Sequence, residues 1–335
     1  MTDQPLIRTL KEGETFTGHL LATEAAFKVS SKGSEYLELK LADASGDLKA
    51  FLWDVRAIEG DMEAIKADAF LKVKGALSSY NGRMQLRLDK VRFAADSEVG
   101  DFAHFFPVSA RPVPEMLAEL DGILASIHDP WIRKLLLALF QEDQELRTAF
   151  SKAPAAKSMH HVYLGGLLEH TLSILAMAER ACGHYRELNR DLVLAGVLLH
   201  DVGKTAELSY ARSFGYTDLG NLVGHISMEV QWINREADKI QGFPEELRNQ
   251  LLHIVLSHHG RLEFGSPVLP KTPEALIVHY LDDLDGKLEV MFRMIREGSG
   301  DNHWSPFSRS LERMIYTVRW PKASNPTTIE RLSSI

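Results

Sequence analysis

The sequence predicts a two-domain protein in which a small β-barrel precedes an all-α domain. Residues up to about Ala95 alternate apolar and polar positions, which is typical of half-buried strands. From about Val113 onward the apolar residues follow helical spacing, and a stretch rich in proline and phenylalanine separates the two patterns. The chain has 335 residues, 45% of them hydrophobic, which is enough for two domains with separate cores.

Five predicted strands make up the N-terminal domain. They cover residues 15–23, 35–41, 48–55, 69–77 and 84–93. The dipeptide Asn81-Gly82 is the strongest hairpin signal in this part of the chain, because both residues tolerate a positive φ. Residues 60–67 read as a short helix between the third and fourth strands. Five strands with a helix at that point predict an OB-fold.

We expect four segments along the chain: an OB-fold nucleic-acid-binding domain (1–97), a linker (98–113), an all-α domain (114–300) and a C-terminal extension (301–335). Helical periodicity and its polar or glycine breaks define the helices of the third segment. The predicted helices cover residues 114–127, 130–141, 143–151, 160–181, 191–200, 225–239, 244–258 and 273–297.

Composition limits the possible classes of function. Cys182 is the only cysteine, so the chain has no intrachain disulfide and no thiolate cluster for zinc. Any bound metal must therefore use imidazole and carboxylate ligands. The N-terminus lacks the basic region and following apolar region of a secretory signal. No apolar run is long enough to span a membrane. The sequence therefore predicts a cytoplasmic protein. A net charge of −8 argues against coating nucleic acid by bulk electrostatics.

The most informative segment is His200-Asp201-Val202-Gly203-Lys204, which closes an apolar helix with two adjacent metal-ligand types. Each further candidate ligand lies on a different predicted helix or helix end, as in metal centres built inside helical bundles. These candidates are His170, His225, His258, His259 and Asp282. Ten of the fourteen histidines fall between His160 and His279, which favours a ligand set over scattered helix-end histidines.

The order His170, His200-Asp201, Asp282 resembles the signature of HD-superfamily phosphohydrolases. With a barrel in front, nearly the whole chain resembles the YhaM-type 3′→5′ exoribonucleases. The segments that carry this resemblance are Gly165-Gly-Leu-Leu-Glu-His-Thr171, Leu199-His-Asp-Val-Gly-Lys204, Gly220-Asn-Leu-Val-Gly-His-Ile-Ser227 and Leu256-Ser-His-His-Gly-Arg-Leu-Glu-Phe-Gly-Ser-Pro267. The resemblance implies an N-terminal domain that binds nucleic acid and an HD domain that hydrolyses it from the 3′ end by metal-activated water.

The resemblance also implies how the ligands divide. One metal ion would be held by His170, His200, Asp201 and Asp282. A second ion would be held by His225, His258 and His259, with Asp201 as the bridge and a catalytic residue. Manganese is the expected ion, and Fe²⁺, Zn²⁺, Mg²⁺, Co²⁺ and Ni²⁺ are alternatives. Lys204 is the second catalytic candidate, because its charge could neutralise a phosphate oxygen or assist the leaving group. Asp285 shares a helix face with Asp282, and we expect it to contact a ligand instead of binding metal.

In the barrel, Phe51 and Trp53 alternate with apolar core positions beside Lys49, and Tyr36 alternates in the same way on the preceding strand. These four residues predict a surface on which bases stack. The competing interpretation is that the aromatics close the end of a small barrel. Residues 1–100 carry 14 basic and 16 acidic side chains, so bulk charge does not decide between the two.

Three functions remain open. The first is an exoribonuclease of single-stranded RNA, with single-stranded DNA as a further substrate and homo-oligomerisation undecided. The second is an HD-type phosphohydrolase of small nucleotides, namely deoxynucleoside triphosphates, cyclic dinucleotides or alarmones, for which the barrel has no obvious purpose. The cyclic dinucleotide version is weaker, because no Gly-Tyr-Pro motif follows the pair His258-His259. The third is a non-catalytic RNA-binding adaptor, which the complete ligand set disfavours.

Overall fold

The computed structural model describes residues 4–80, 83–99, 104–156, 161–210, 215–297 and 303–318. The chain divides into two compact units, Met1–Gly286 and Lys287–Ile335. The predicted turn at Asn81-Gly82 and His160 lie outside the described residues. The segment boundaries at 97, 113 and 300 remain predictions.

Five long strands close into the predicted barrel at the N-terminus. Strands β3, β2, β1, β5 and β6 pair in this order, and β3 also pairs with β6 in parallel, which closes the sheet. The very short β4 pairs with β6. The strands are β1 (Thr15–Val29), β2 (Glu35–Asp43), β3 (Gly46–Leu52), β4 (Ile58–Glu59), β5 (Ala69–Tyr80) and β6 (Arg83–Phe93). The prediction of an OB-type barrel is therefore confirmed.

The alternation of apolar and polar residues explains why these segments form a barrel. Successive side chains on a strand point to opposite faces, so every second residue enters the core. The barrel core includes the fully buried Leu37, Leu39, Leu41, Ala50, Leu52 and Leu86. A single 3₁₀ turn, Met62–Ala64, stands where a short helix was predicted. Strand β3 ends at Leu52, so Trp53 follows the strand and was wrongly placed within it.

The second part of the chain is mostly helical, as predicted. Its helices are α1 (Asp96–Val99), α2 (Val113–Ala125), α3 (Pro130–Leu137), α4 (Gln144–Lys152), α5 (Gly166–His184), α6 (Arg190–Leu199), α7 (Lys204–Glu207), α8 (Asp218–Val223), α9 (His225–Lys239), α10 (Glu245–Ser257) and α11 (Pro273–Glu297). Short pairing strands, β7 (Leu208–Ser209) and β8 (Gly215–Tyr216), were not predicted. The helices enclose a core that includes Met116, Phe140, Phe150, Val197, Ile254 and Val278.

The helix predicted to begin at residue 160 begins instead at Gly166. His161 and Gly165 have φ values of 47° and 80°, in the left-handed region that a right-handed helix cannot contain. An added Cβ at Gly166 would lie 2.1 Å from the carbonyl oxygen of His161. Residues 161–165 therefore form an irregular connection before α5, and we call them the entry segment.

The entry segment joins the helical region to the barrel. The backbone nitrogen of Leu164 donates to Pro107 (2.9 Å), and the carbonyl of Leu164 accepts from Ser109 (2.9 Å). The side chain of Leu164 packs on a small apolar cluster formed by Leu21, Phe70, Ala94, Phe105 and Phe106. Leu21 and Phe70 belong to β1 and β5, so the residues predicted as a linker are fixed to both parts.

The second unit has its own small apolar cluster, in which Val290 packs with Leu311 and Ile315. Trp304 and Tyr316 form an isolated antiparallel bridge. Over the described parts of both units, no helix combines the length and apolar character needed to cross a membrane.

Candidate metal centre

Every predicted metal ligand lies at a helix end or on a helix surface facing the same interior point. His170 lies in the first turns of α5, and Asp282 lies in the middle of α11. The others stand at helix termini: His200 and Asp201 directly follow α6, His225 begins α9, and His258 and His259 directly follow α10. The termini of apolar helices thus carry ligands into the core of the helical region.

The first group of ligand atoms comes from His170, His200, Asp201 and Asp282, and all four atoms lie within 4.8 Å of one another. Nε2 of His170 is 3.2 Å from Oδ1 of Asp282. Nε2 of His200 is 3.4 Å from Oδ2 of Asp201 and 3.6 Å from Oδ1 of Asp282. Two imidazole nitrogens and two carboxylate oxygens therefore converge, which is a donor set suited to a divalent ion.

The second group comes from His225, His258 and His259, whose ligand atoms also lie within 4.8 Å of one another. Oδ1 of Asp201 is 3.7 Å from Nε2 of His225 and 3.7 Å from Nε2 of His258. Asp201 thus turns one oxygen toward each group. A carboxylate in this position can bridge two cations.

Two of the histidines are oriented by the helix that precedes them. Nδ1 of His200 is 2.7 Å from the carbonyl oxygen of Val197, and Nδ1 of His258 is 2.7 Å from that of Val255. A carbonyl oxygen only accepts, so each Nδ1 must carry the proton. In the neutral imidazole the lone pair is then on Nε2, which faces the ligand group. The same bonds satisfy carbonyl groups that would otherwise lack partners at the helix ends.

In the other three histidines, Nδ1 contacts an acceptor outside the preceding helix turn. Two of these acceptors are carboxylates distant in sequence, and the third is a backbone carbonyl five residues ahead. The pairs are His170 with Oδ2 of Asp285 (2.7 Å), His225 with Oε1 of Glu207 (2.9 Å), and His259 with the carbonyl oxygen of Phe264 (2.9 Å). All five imidazoles are therefore held by Nδ1 and present Nε2. Second contacts of this kind fix ligand orientation and raise ligand basicity.

The candidate ligands fit a metal ion, because several of their buried nitrogen and oxygen atoms lack a hydrogen-bond partner among the described residues. Nε2 of His200, His225 and His258 and Oδ1 of Asp201 are buried, and none of them has a hydrogen-bond partner among the residues that the structure describes. Burying such atoms without a partner is unfavourable. A cation bound between them would remove that cost, because each atom carries a lone pair directed into the group.

Charge in the centre is set by burial and by close partners. Burial alone would raise the pKa of Asp201, but the Lys204 ammonium outweighs it and holds the pKa well below the usual value. Nζ of Lys204 donates to Oδ2 of Asp201 at 2.7 Å. Burial would lower the pKa of His170, but the carboxylates of Asp282 and Asp285 raise it to about 9. A cation that binds His170 must therefore displace a proton at neutral pH.

Two buried glutamates support the centre and were missed from the sequence. Glu207 accepts from both the backbone nitrogen (3.0 Å) and Nδ1 of His225, and so fixes the start of α9. Glu229 accepts from the backbone nitrogen of Gly203 at 2.9 Å, in the turn that follows Asp201. Burial and the nearby Asp201 raise the pKa of Glu229 well above its usual value. Glu229 lies between two apolar residues, which is a weak sequence signal, and the mixed polar and apolar surroundings of Glu207 give none.

Replacing Asp285 by asparagine is expected to weaken binding of divalent metal about 10- to 100-fold, because the acceptor that orients His170 loses its charge. Calorimetric titration of the metal-free protein with Mn²⁺ would measure this. Asp283→Asn, on the same helix but outside the ligand groups, is the matched control. Equal affinities of both variants and the unsubstituted protein would show that Asp285 does not orient the ligand.

The predicted stacking residues of the barrel lie together. The ring centroids of Tyr36 and Trp53 are 4.8 Å apart, and those of Phe51 and Trp53 are 5.7 Å apart with nearly parallel planes. Trp53 is half exposed, at 53% of its surface. Lys49 lies on β3 two residues before Phe51, and its Nζ is 3.4 Å from Oε1 of Glu38. The aromatic cluster is thus on the barrel surface, with its cation partly offset by a carboxylate.

A known protein family matches the part of the chain that contains the predicted metal ligands. Residues 167–287 match the family described as HD domain. Among solved structures, the HD domain of the phosphodiesterase PgpH from L. monocytogenes is 17% identical, with a TM-score of 0.25, over 52% of this chain and 78% of that one. The second OB-fold domain of replication protein A from Methanococcus maripaludis is 16% identical, with a TM-score of 0.22, over 28% of this chain and 95% of that one.

The p204 HINb domain is 13% identical, with a TM-score of 0.22, over 27% of this chain, and the match covers only 47% of that protein's chain. Identity and TM-score are low for all three structures. The family match contains all seven predicted ligands, from His170 to Asp282. The helical region that follows the five-stranded barrel therefore contains an HD domain.

Proposed function

We propose that this protein is a metal-dependent exoribonuclease that hydrolyses single-stranded RNA from the 3′ end, with single-stranded DNA as a further substrate. The coarser activity, metal-dependent phosphohydrolysis, is what an HD domain implies. One observation carries the proposal: five imidazoles anchored through Nδ1 present Nε2 around Asp201, whose two oxygens face different ligand groups. This arrangement suits two cations acting on one phosphodiester.

The donor set favours particular metals. Imidazole nitrogens and carboxylate oxygens without thiolates suit Mn²⁺ and Fe²⁺ well and also accept Zn²⁺, Co²⁺ and Ni²⁺, whereas Mg²⁺ prefers oxygen ligands. We propose two Mn²⁺ ions, one in each ligand group. Bound there, they would activate water and offset the charge on the phosphoryl group and on the departing 3′ oxygen.

The side chains have separate tasks in this proposal. Asp201 stays ionised and holds the two groups together, because Lys204 stabilises its charge. Lys204 is itself largely buried and remains protonated, since Asp201 raises its pKa against the effect of burial. Its ammonium could turn from Asp201 to a non-bridging phosphate oxygen when substrate enters. The anchored histidines keep the ligand atoms fixed while charge develops, which is the preorganisation that catalysis requires.

The barrel supports a polymeric single-stranded substrate. Stacking on aromatic side chains requires unpaired bases and tolerates any sequence. Tyr36, Phe51 and Trp53 offer such rings on the surface, beside the cation of Lys49. An enzyme restricted to small nucleotides would gain nothing from this surface.

The decisive experiment compares the protein with its Asp201→Asn variant on 5′-labelled RNA and DNA, single-stranded and with a paired 3′ end, with Mn²⁺ or with EDTA. We expect a ladder of products that shortens from the 3′ end, requires Mn²⁺, and is absent with Asp201→Asn. Intact polymers alongside hydrolysis of deoxynucleoside triphosphates or cyclic dinucleotides would favour the small-nucleotide function instead. Binding of RNA without any metal-stimulated turnover would favour the adaptor.

Replacing Phe51 by alanine is expected to weaken binding of single-stranded RNA about tenfold, because stacking on the exposed cluster is lost. Hydrolysis of bis(p-nitrophenyl) phosphate, which is too small to reach the barrel and the metal centre together, should not change. Fluorescence anisotropy and steady-state kinetics measure the two effects. If RNA binding and hydrolysis of bis(p-nitrophenyl) phosphate fell equally, the cause would be misfolding. That result would contradict a separate role of the barrel in binding.

A further inference from the structure

A short loop after the pair His258-His259 carries an exposed aromatic residue whose backbone contacts a candidate ligand of the second group. The loop contains a 3₁₀ turn, Leu262–Phe264, and the side chain of Phe264 is 56% exposed. The carbonyl oxygen of Phe264 accepts the Nδ1 proton of His259 at 2.9 Å. The residue that carries the ring and the residue that offers a metal ligand are therefore in direct contact.

The loop is held in one conformation by its glycines and by backbone hydrogen bonds. Gly260 has a φ of 74°, and an added Cβ would lie 2.1 Å from the ring of His279. Gly265 has a φ of 92°, and its nitrogen donates to Leu262 at 3.0 Å. The nitrogen of Phe264 donates to the carbonyl of Arg261 at 3.1 Å. These bonds fix the backbone that carries the Phe264 ring next to His259.

The surroundings of Phe264 suit a nucleobase. The guanidinium carbon of Arg261 lies 5.5 Å from the ring centroid, which is a cation–π geometry. Leu262 in the same loop is 60% exposed, and Leu222, three residues before His225, is 84% exposed. Both chain segments that carry histidines of the second group therefore expose apolar side chains beside them. Apolar surface next to a phosphate-binding centre is what a ligand with a flat base and a charged phosphate requires.

We propose that Phe264 and Arg261 form a subsite that stacks the base of the 3′-terminal nucleotide. The inference rests on the proposed function and specifies how the HD domain recognises its substrate. Phe264 supplies a face for the base, and Arg261 supplies a positive charge beside it. A base in a duplex has both faces covered and its edge paired, so it cannot use the subsite without first separating from its partner. The subsite therefore selects unpaired 3′ ends at the metal centre, independently of the barrel.

The test is a double-mutant cycle in which the Phe264 ring and the terminal base are removed separately and together. Hydrolysis of the 3′-terminal linkage is measured for an RNA with a normal terminal nucleotide and for the same RNA with an abasic terminal ribose. The full-length protein, its Phe264→Ala variant and its Phe264→Tyr variant are compared with Mn²⁺. We expect Phe264→Ala to lower kcat/KM about tenfold on the normal RNA and to leave it unchanged on the abasic RNA. Phe264→Tyr should restore the loss.

A matched control is Tyr185→Ala. Tyr185 is an exposed aromatic residue directly after α5, and the helix rise puts it about 20 Å from His170 along that helix. It should have no effect on either RNA. An equal loss on both RNAs with Phe264→Ala, or no loss on either, would overturn the proposal. If Phe264→Ala lowers kcat/KM equally on both RNAs, calorimetric titration with Mn²⁺ shows whether weaker metal binding or a distorted loop is the cause.

A second measurement keeps this inference distinct from the proposed function. An RNA with 2-aminopurine at its 3′ end is titrated with protein in EDTA, which prevents hydrolysis, and its fluorescence is recorded. Stacking on Phe264 should quench the fluorescence, and Phe264→Ala should remove the quenching. Quenching in EDTA, combined with no hydrolysis in Mn²⁺, would overturn the exonuclease proposal and keep the subsite. Hydrolysis in Mn²⁺ without quenching that depends on Phe264 would overturn the subsite and keep the exonuclease proposal.

Discussion

Replacing Asp201 by asparagine is expected to lower hydrolysis of single-stranded RNA by about 10³-fold or more, the largest effect of any single substitution in this chain. The variant keeps the shape of the side chain but loses the charge that both ligand groups share, since one carboxylate oxygen faces each group. It also leaves the buried ammonium of Lys204 without its 2.7 Å carboxylate partner. Single-turnover kinetics with 5′-labelled RNA measures the rate, and elemental analysis measures the bound metal.

Asp283→Asn is the control for this substitution, since the same chemical change is made outside the ligand groups. It should retain its rate and its metal. Thermal unfolding in EDTA checks that both variants fold. An Asp201→Asn protein that kept its activity would rule out a bridging carboxylate, whatever its metal content.

Replacing His225 by alanine is expected to reduce the bound metal from two ions to one and to lower activity about 10²- to 10³-fold. Nε2 of His225 faces only the second group, so the four ligand atoms of the first group remain in place. His200→Ala should instead remove the ion of the first group. Native mass spectrometry of the Mn²⁺-loaded proteins counts the ions directly.

His253→Ala is the matched control for the histidine substitutions. His253 lies on α10 five residues before His258, and its Nε2 accepts from the backbone of Lys271, away from the ligand groups. It should keep both ions. A single ion in the unsubstituted protein, or loss of both ions with His225→Ala, would contradict the division into two ligand groups that each hold one ion.

The barrel and the convergence of the candidate ligands could be predicted from the sequence, because both leave local signals. Alternating residues such as Leu37, Leu39 and Leu41 identify a strand face, and the structure buries all three. The ligand types occur in an order that matches a known signature. Their side chains converge because helix ends in a bundle meet in its core.

The expected contact of Asp285 with a ligand is confirmed at His170. The two glutamates that support the centre could not be predicted, because their contacts join residues far apart in sequence. Glu207 and His225 are separated by 18 residues, and Glu229 and Gly203 by 26 residues. No spacing rule connects such pairs. The start of α5 was also mispredicted, since helical periodicity does not register the positive φ of His161 and Gly165. The strands β7 and β8 are only two residues long each, which is too short for an alternation to appear.

The entry segment determines where the chain can be divided. A fragment that begins at α2 would lack Pro107 and Ser109, whose backbones pair with Leu164, and would expose the apolar surface that Phe105 and Phe106 now cover. In the same segment, His161 lies 3.0 Å from the carboxylate of Asp285, which in turn holds His170. Cutting the chain within the predicted linker would therefore disturb the candidate ligand His170, because His161 contacts Asp285 and Asp285 contacts His170. Fragments intended for crystallisation should therefore keep the barrel residues Leu21 and Phe70, which cover Phe105 and Phe106, together with the entry segment.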